Sequence, residues 1–276
     1  MAASASYELK ETVLKIENVS VTYGDTVILR DVNVEIKNIV RPGMKQGQVV
    51  ALLAPSGMGK TTLFKSIAGL EIPNEGQVLL GVDAKPVERG MVGVVAQNYP
   101  LFQHRTVVAN LVVAGKQAGL SGSESSDKAH NLLERFGLSD QAKKYPVQLS
   151  GGQRQRVAIA QQFMCSEHYL LMDEPFSGLD LLAVRKLCQF ISEEARTDEL
   201  ATFIIVTHDI FAALEIADTV WVLGRDRDNM GNPVPGARIQ QVYDLIERGL
   251  AWQEDVTSKP EFLTLVGEIR ELYPKL

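Results

Sequence analysis

The 276-residue chain carries 28 Lys and Arg against 34 Asp and Glu, a formal net charge of −6. That balance argues against a nucleic-acid partner, whose phosphates recruit a basic face. The 45% hydrophobic content suits one large soluble α/β domain, and no apolar run reaches the roughly 18–20 residues that span a bilayer.

Met1 to Lys10 lacks a basic start followed by an apolar block, so it reads as a tail (residues 1–12) and not as a secretory signal. Val13–Val21 and Val27–Ile36 alternate in part, as half-buried strands do, with Asp25 near the turn between them. They predict an early antiparallel β piece. Val49–Leu53 is a continuous apolar run, expected of a strand buried on both faces, and Thr61–Leu70 reads as a helix. Further short apolar runs follow at Met91–Ala96, Tyr169–Met172, Phe203–Val206 and Val220–Leu223. Strands alternating with helices predict a mostly parallel sheet. The strand signal vanishes over about residues 98–163, where Val107–Ala118 and Ser126–Phe136 look helical and Gly119–Ser126 reads as a loop. An inserted helical subdomain is expected there. Arg225–Arg238, rich in Asp, Asn, Gly and Pro, predicts a long turn or hairpin loop. Ile239–Leu250 and Lys259–Leu272 read as amphipathic helices, giving a helical tail over 241–276 after a domain spanning 13–240. Cys165 and Cys188 sit in apolar helical contexts and are expected to be small buried hydrophobes; so few cysteines suit a reducing cytoplasm.

Three segments carry chemistry. The first is Pro55-Ser56-Gly57-Met58-Gly59-Lys60-Thr61-Thr62, after one predicted strand and opening a helix. Glycines let backbone N–H groups turn inward around anionic oxygens, and the helix N-terminus adds partial positive charge. Lys60 can reach β- and γ-phosphates, and Thr61 can place its hydroxyl on Mg²⁺. Ala54 stands where this motif usually begins with Gly. The second segment is Asp173-Glu174, at the end of an apolar strand. Two carboxylates there cost desolvation energy unless they are used. Strand alternation would point them apart, Asp173 toward Mg²⁺ and Glu174 toward a water as general base. The third is Leu149-Ser150-Gly151-Gly152-Gln153-Arg154-Gln155. A hydroxyl and exposed amides at a helix start form an anion site.

Ala54–Thr62, Gln97-Asn98-Tyr99, Leu149–Gln162, Leu171–Asp180 and Ile205–Asp209 occur in the order and approximate spacing of an ATP-binding cassette (ABC) ATPase. The chain resembles that family over about residues 13–224. The resemblance implies a P-loop NTPase (RecA-like) core, ATP and Mg²⁺. It implies that Gln97 senses γ-phosphate and Mg²⁺ and reports to a membrane partner. It also implies that Ser150, Gly151, Gly152 and Gln153 meet the ATP of an opposite subunit, Ser150 and Gly152 at its γ-phosphate. Asp180 would lie in the loop linking the two sites, His208 would be the switch histidine at the γ-phosphate, and Tyr23 would stack on adenine. His104, His130 and His168 show no ligand spacing and receive no role, and neither does Met58.

The function so implied is an ATP-hydrolysing transporter subunit at the cytoplasmic face of a membrane. It would pair as a homodimer, or as a heterodimer with a similar ATPase subunit. It would drive separate transmembrane permease subunits, joined in the complete importer by a substrate-binding protein. Import is favoured because the ATPase stands alone and because residues 97–102 and 153–160 resemble bacterial importer ATPases. The short tail, without a large regulatory β domain, looks most like the nitrate/sulfonate/taurine group, with Tyr243–Leu250 in support; a polyamine, molybdate or amino-acid system is the alternative within the importers. The alternatives are an ABC ATPase acting on DNA or ribosomes, and an ATP-gated adaptor without turnover. No tandem cassette, coiled-coil insertion or basic arm favours the first, and Glu174 and His208 oppose the second. Tyr99 and Phe102 are expected to anchor a cytoplasmic helix of the permease. The stretch Asn38–Gln46 has no assigned role.

Overall fold

A computed structural model describes residues 7–40, 47–166, 168–196, 200–253 and 255–276. Residues 1–6 of the expected tail and 41–46 of the Asn38–Gln46 stretch lie outside the described residues. The strands, in chain order, are β1 (Glu8–Tyr23), β2 (Thr26–Val40), β3 (Gln48–Leu53), β4 (Glu75–Leu80), β5 (Lys85–Pro86), β6 (Gly93–Val95), β7 (Tyr169–Asp173), β8 (Thr202–Thr207), β9 (Thr219–Arg227) and β10 (Pro233–Asp244). The α-helices are α1 (Lys60–Ile67), α2 (Val107–Gln117), α3 (Gly122–Arg135), α4 (Gly151–Phe163), α5 (Leu181–Ala195), α6 (Ile210–Ile216) and α7 (Pro260–Leu272).

All ten strands join one sheet in the order β5-β4-β1-β2-β10-β9-β3-β8-β7-β6. From β9 to β6 every pairing is parallel. Strands β1, β2, β4 and β5 pair antiparallel at the other end. The fold is that of the expected P-loop NTPase core with an N-terminal antiparallel piece. Among the described residues, the ladder between the two regions is the β10–β2 pair Ala237 with Leu29. Asp226 on β9 reinforces the joint by pairing with Arg30 of β2 and Arg238 of β10.

Strand β3 is buried along its whole length because both faces are covered. Val50 and Leu52 pack with α1 and the antiparallel strands, while Ala51 and Leu53 face α6 and α7. A third apolar cluster joins α2, α3, α4 and α5 to β7 and β8. At its centre Phe136, Phe163, Phe190 and Phe203 form a chain of ring contacts with centroids 4.9–6.0 Å apart. The Arg135 guanidinium lies 5.6 Å from the Phe163 centroid and pairs with Glu194, whose carboxyl is pushed up by burial. These contacts fix the helices over 107–163 against α5.

Several expectations change. Strand β1 begins at Glu8, inside the segment read as a tail. Strands β4 and β5 were not foreseen. Gly76 permits β4, since a Cβ there would stand 2.2 Å from the Glu17 carbonyl oxygen. Helix α3 begins at Gly122 within the expected loop, because Ser121 and Glu124 form a capping box. Ile239–Leu250 is not a helix. Its first half belongs to β10, which pairs with β9 through Ile239–Leu223 and Tyr243–Val220. The long turn at 225–238 shrinks to a tight one, in which Asp228 Oδ1 accepts from the N–H of Met230 and Asn232, each at 2.8 Å. Helix α7 matches its expected position. Cys188 is buried as expected, but Cys165 is exposed, its thiol directed to the Ala114 carbonyl at 3.5 Å.

Candidate active site

Parallel strands β3, β7 and β8 end side by side, and their C-terminal ends place the reactive side chains. After β3 the chain turns through Ala54–Gly59 into α1. Gly57 and Gly59 have φ of 80° and 81°, a conformation that glycine adopts without the Cβ penalty. Gly59 is also the N-cap of α1, and a Cβ on it would lie 2.9 Å from Ile28 Cγ2. Strand β2 therefore backs the loop closely. Ala54 is fully buried and does not have positive φ. The missing Gly thus costs the loop nothing in backbone strain.

Lys60 Nζ donates to the carbonyls of Ala54 at 2.7 Å and Pro55 at 3.4 Å. It lies 3.8 Å from Glu174 Oε1. Burial pushes its pKa down, partly offset by Glu174 and Asp173. An ammonium group so desolvated favours an incoming anion. Thr61 is exposed beside it, whereas Thr62 is buried in the helix.

Asp173 closes β7, and burial together with the Glu174 charge raises its pKa. A cation would relieve both effects. Among the described residues no three His, Cys, Asp or Glu side chains cluster as a metal cage. Asp173 and the Thr61 hydroxyl would hold Mg²⁺ only as part of its ligand set. Glu174 departs from the expected alternation. It has left the strand, with φ of 46°, and that left-handed turn aims its side chain at β8. Its N–H donates to the Val206 carbonyl at 2.7 Å. Its carboxylate accepts from Thr207 Oγ1 at 3.0 Å and from His208 Nδ1 at 2.9 Å to each oxygen. The structure thus brings together Lys60, Asp173, Glu174 and His208. Asp209, after the histidine, caps α6 through the Ala212 N–H at 3.1 Å.

Gln97 is exposed, and its Nε2 donates to Ser177 Oγ at 3.2 Å. Tyr23 is 49% exposed, and its hydroxyl bonds to Glu71, just beyond α1. Ser150 caps α4 in a box with Gln153. The Gln153 N–H donates to Ser150 Oγ at 3.3 Å, and the Ser150 N–H donates to Gln153 Oε1 at 3.0 Å. Gly151 and Gly152 are exposed, with open space where a Cβ would stand. Ser150, Gly152 and Gln153 border a groove of about 470 Å³ with α5, and no phosphate-loop residue lines it. Asp180 caps α5 through the Ala183 N–H at 2.9 Å. Met58 packs against the core under the loop. His104 stacks edge-on against Phe102, and His130 donates to the Ser126 carbonyl at 2.8 Å.

Tyr99 and Phe102 separate. Tyr99 packs on the core, and its hydroxyl donates to the Pro175 carbonyl at 3.1 Å; burial pushes that hydroxyl up to about 12. Tyr99 is half-buried with its ring seated on the core, which leaves less of it to meet a partner helix than Phe102 offers. Phe102 remains 42% exposed. Gln155 is a site neighbour that motif reading missed. It is 2% exposed, and its Nε2 donates to the same Pro175 carbonyl at 2.9 Å. Its polarity on a buried helix face was the only signal.

The family model described as "ABC transporter" matches residues 38–177. The chain is 39% identical over 233 residues to the sulfate/thiosulfate import ATP-binding protein CysA of Gloeobacter violaceus, covering 83% of this chain and 63% of that one. It is 40% identical over 229 residues to CysA 1 of Chromobacterium violaceum, covering 80% and 61%. The chain thus spans less than two thirds of the length of these relatives. Among solved structures it resembles cbiO1 of Clostridium perfringens, described as part of the ABC transporter complex cbiONQ. The TM-score is 0.72 and the identity 28%, over 95% of this chain and all of that one. A phosphate loop, an acid pair, a histidine at the next strand end and a capped Ser-Gly-Gly-Gln helix thus share one matched fold, and the chain belongs to the ABC transporter ATP-binding family.

Proposed function

We propose that the chain is the ATP-hydrolysing subunit of an importer. The observation that carries this reading is the convergence of Lys60, Asp173, Glu174 and His208 at the ends of adjacent strands. Lys60 holds the β- and γ-phosphates of ATP. Thr61, Asp173 and Gln97 would hold Mg²⁺, which would supply charge neutralisation at the phosphate oxygens. Glu174 accepts the proton of a water, whose oxygen attacks the γ-phosphorus as the bond to the ADP oxygen breaks. His208 swings from Glu174 to donate to the γ-phosphate. Tyr23 offers its ring to adenine.

The groove that holds Ser150, Gly152 and Gln153 is separate from the phosphate loop of the same chain. Two copies, or this chain and a similar ATPase subunit, would face head to tail, so that each signature helix start meets the other's γ-phosphate. Asp180 would connect the two sites. Among the described residues no helix is long and apolar enough to cross a membrane. Separate permease subunits would carry the pathway, with this chain at their cytoplasmic side and a substrate-binding protein delivering cargo, as the family membership supports. The relatives named for sulfate and thiosulfate support import over action on DNA or ribosomes. Their printed cargo, sulfate and thiosulfate, is a pair of small oxyanions, and we favour that class for this chain. A phosphate-release assay with MgATP, combined with light scattering for dimer formation, tests the reading. ATP turnover with an ATP-dependent dimer is expected; a monomer that binds ATP without turnover would leave the adaptor reading.

A further inference from the structure

Glu174 precedes a proline, and such a residue favours extended backbone. Its φ of 46° is uncommon for a side chain larger than glycine, and such geometry persists only where neighbours over-determine it. The neighbours are visible. The Glu174 N–H is held by Val206 at 2.7 Å, and its own carbonyl accepts from the Ser177 N–H at 3.1 Å. Pro175 has no N–H, so its carbonyl is the backbone's remaining handle. That single oxygen accepts from Gln155 Nε2 at 2.9 Å and from Tyr99 Oη at 3.1 Å. Gln155 lies in the second turn of α4, whose first turn Ser150 and Gln153 cap. Tyr99 lies two residues beyond Gln97, and it too has positive φ, 44°.

We propose that Gln155 and Tyr99 are positioning residues for Glu174, so that the geometry of the base depends on where the signature helix and the Gln97 segment sit. The inference rests on Glu174 being the general base. A rigid shift of α4, transmitted through a buried amide, moves the Pro175 carbonyl and turns the adjoining Glu174 peptide. Motion at Ser150 thereby reaches the base of the same chain, without passing through the nucleotide. The two bonds share one acceptor, so each partly substitutes for the other when one is lost.

The test is steady-state ATP turnover by the full chain and by Gln155→Met, Tyr99→Phe, the double variant and Glu174→Gln, with melting curves for each. Gln155→Met preserves length and removes both polar groups. We expect kcat to fall by about tenfold or more in the double variant while half-saturating ATP moves by less than about twofold. The double variant should lose more than the product of the single losses. Kinetics within about twofold of the parent in the folded double variant would overturn the proposal, as would equal changes in kcat and in half-saturating ATP. Should that double variant not fold, Gln155→Leu combined with Tyr99→Phe takes its place and decides by the same split. No turnover by the parent, or unchanged turnover by Glu174→Gln, would instead remove the base assignment and this proposal with it.

Discussion

His208 Nδ1 stands 2.9 Å from each carboxylate oxygen of Glu174, so the histidine and the acid are closed on one another. One Glu174 oxygen also accepts from Thr207 Oγ1 at 3.0 Å. On the proposed mechanism this carboxylate has to release the imidazole before it takes a proton from water. Glu174→Gln keeps an acceptor for Thr207 and removes the base. Hydrolysis should slow by roughly 10²–10⁴-fold with ATP binding intact. A stable ATP-bound dimer should then appear by gel filtration; near-normal phosphate release would sink the assignment.

Asp173 is raised in pKa by burial and by Glu174. The sign follows directly. A carboxyl with a raised folded pKa stabilises below its unfolded pKa and loses that contribution as pH rises through the folded value. At neutral pH the charged group therefore opposes folding of the nucleotide-free protein. Asp173→Asn should raise the melting temperature by about 2–4 °C, corresponding to about 1 kcal/mol for a domain of this size, while MgATP turnover collapses. The difference should shrink at acidic pH, which a melting series across pH would record. A lower melting temperature at neutral pH would show that Asp173 is needed for the fold.

Ala54 is fully buried and needs no positive φ. Ala54→Gly should therefore change ATP affinity by under about 1 kcal/mol and cost the fold a comparable amount through added chain entropy. Lys60→Ala, which removes the cation at the phosphates, should abolish productive ATP use. Nucleotide titration of both variants checks this; a tenfold gain in affinity for Ala54→Gly would reveal strain in the loop as it stands.

Phe102 is 42% exposed, with the Arg105 guanidinium 5.7 Å from its ring centroid. Tyr99 is seated inside. The two residues should respond differently to charge. Phe102→Asp should leave the melting curve near the parent's and disrupt co-purification with a permease, an exposed aromatic anchor being worth on the order of 1–3 kcal/mol. Tyr99→Asp should instead lower the melting temperature, because it buries a charge against the core. Full assembly by a folded Phe102→Asp would exclude this surface.

The geometry of the site was legible in the sequence where it is local. Gly57, Gly59 and Lys60 sit at fixed spacing because the turn and the helix start must, and Ser150 with Gln153 announces its own cap. Strand β10 was misread because Ile239, Val242, Tyr243, Leu245, Ile246 and Leu250 also fit a helical stripe. Pairing with β9 decides between the two periods, and pairing is not a local property. Strands β4 and β5 escaped for a similar reason, since Glu75 and Lys85 belong to the sheet only through their neighbours. The turn of Glu174 out of its strand, and the convergence of Gln155 and Tyr99 on Pro175, are tertiary facts that no spacing encodes.

In the proposed dimer one atom of Ser150 would serve folding and recognition together. Its oxygen accepts the Gln153 N–H at 3.3 Å, which occupies a lone pair and leaves the hydroxyl proton to point outward. The same hydroxyl can thus cap the helix and still donate to a phosphate. Aspartate would cap the helix equally well yet present a charge of the wrong sign, whereas alanine would loosen the helix and silence the donor together. Only serine and its hydroxyl analogue threonine offer an acceptor to the helix and a proton to the ligand from the same oxygen.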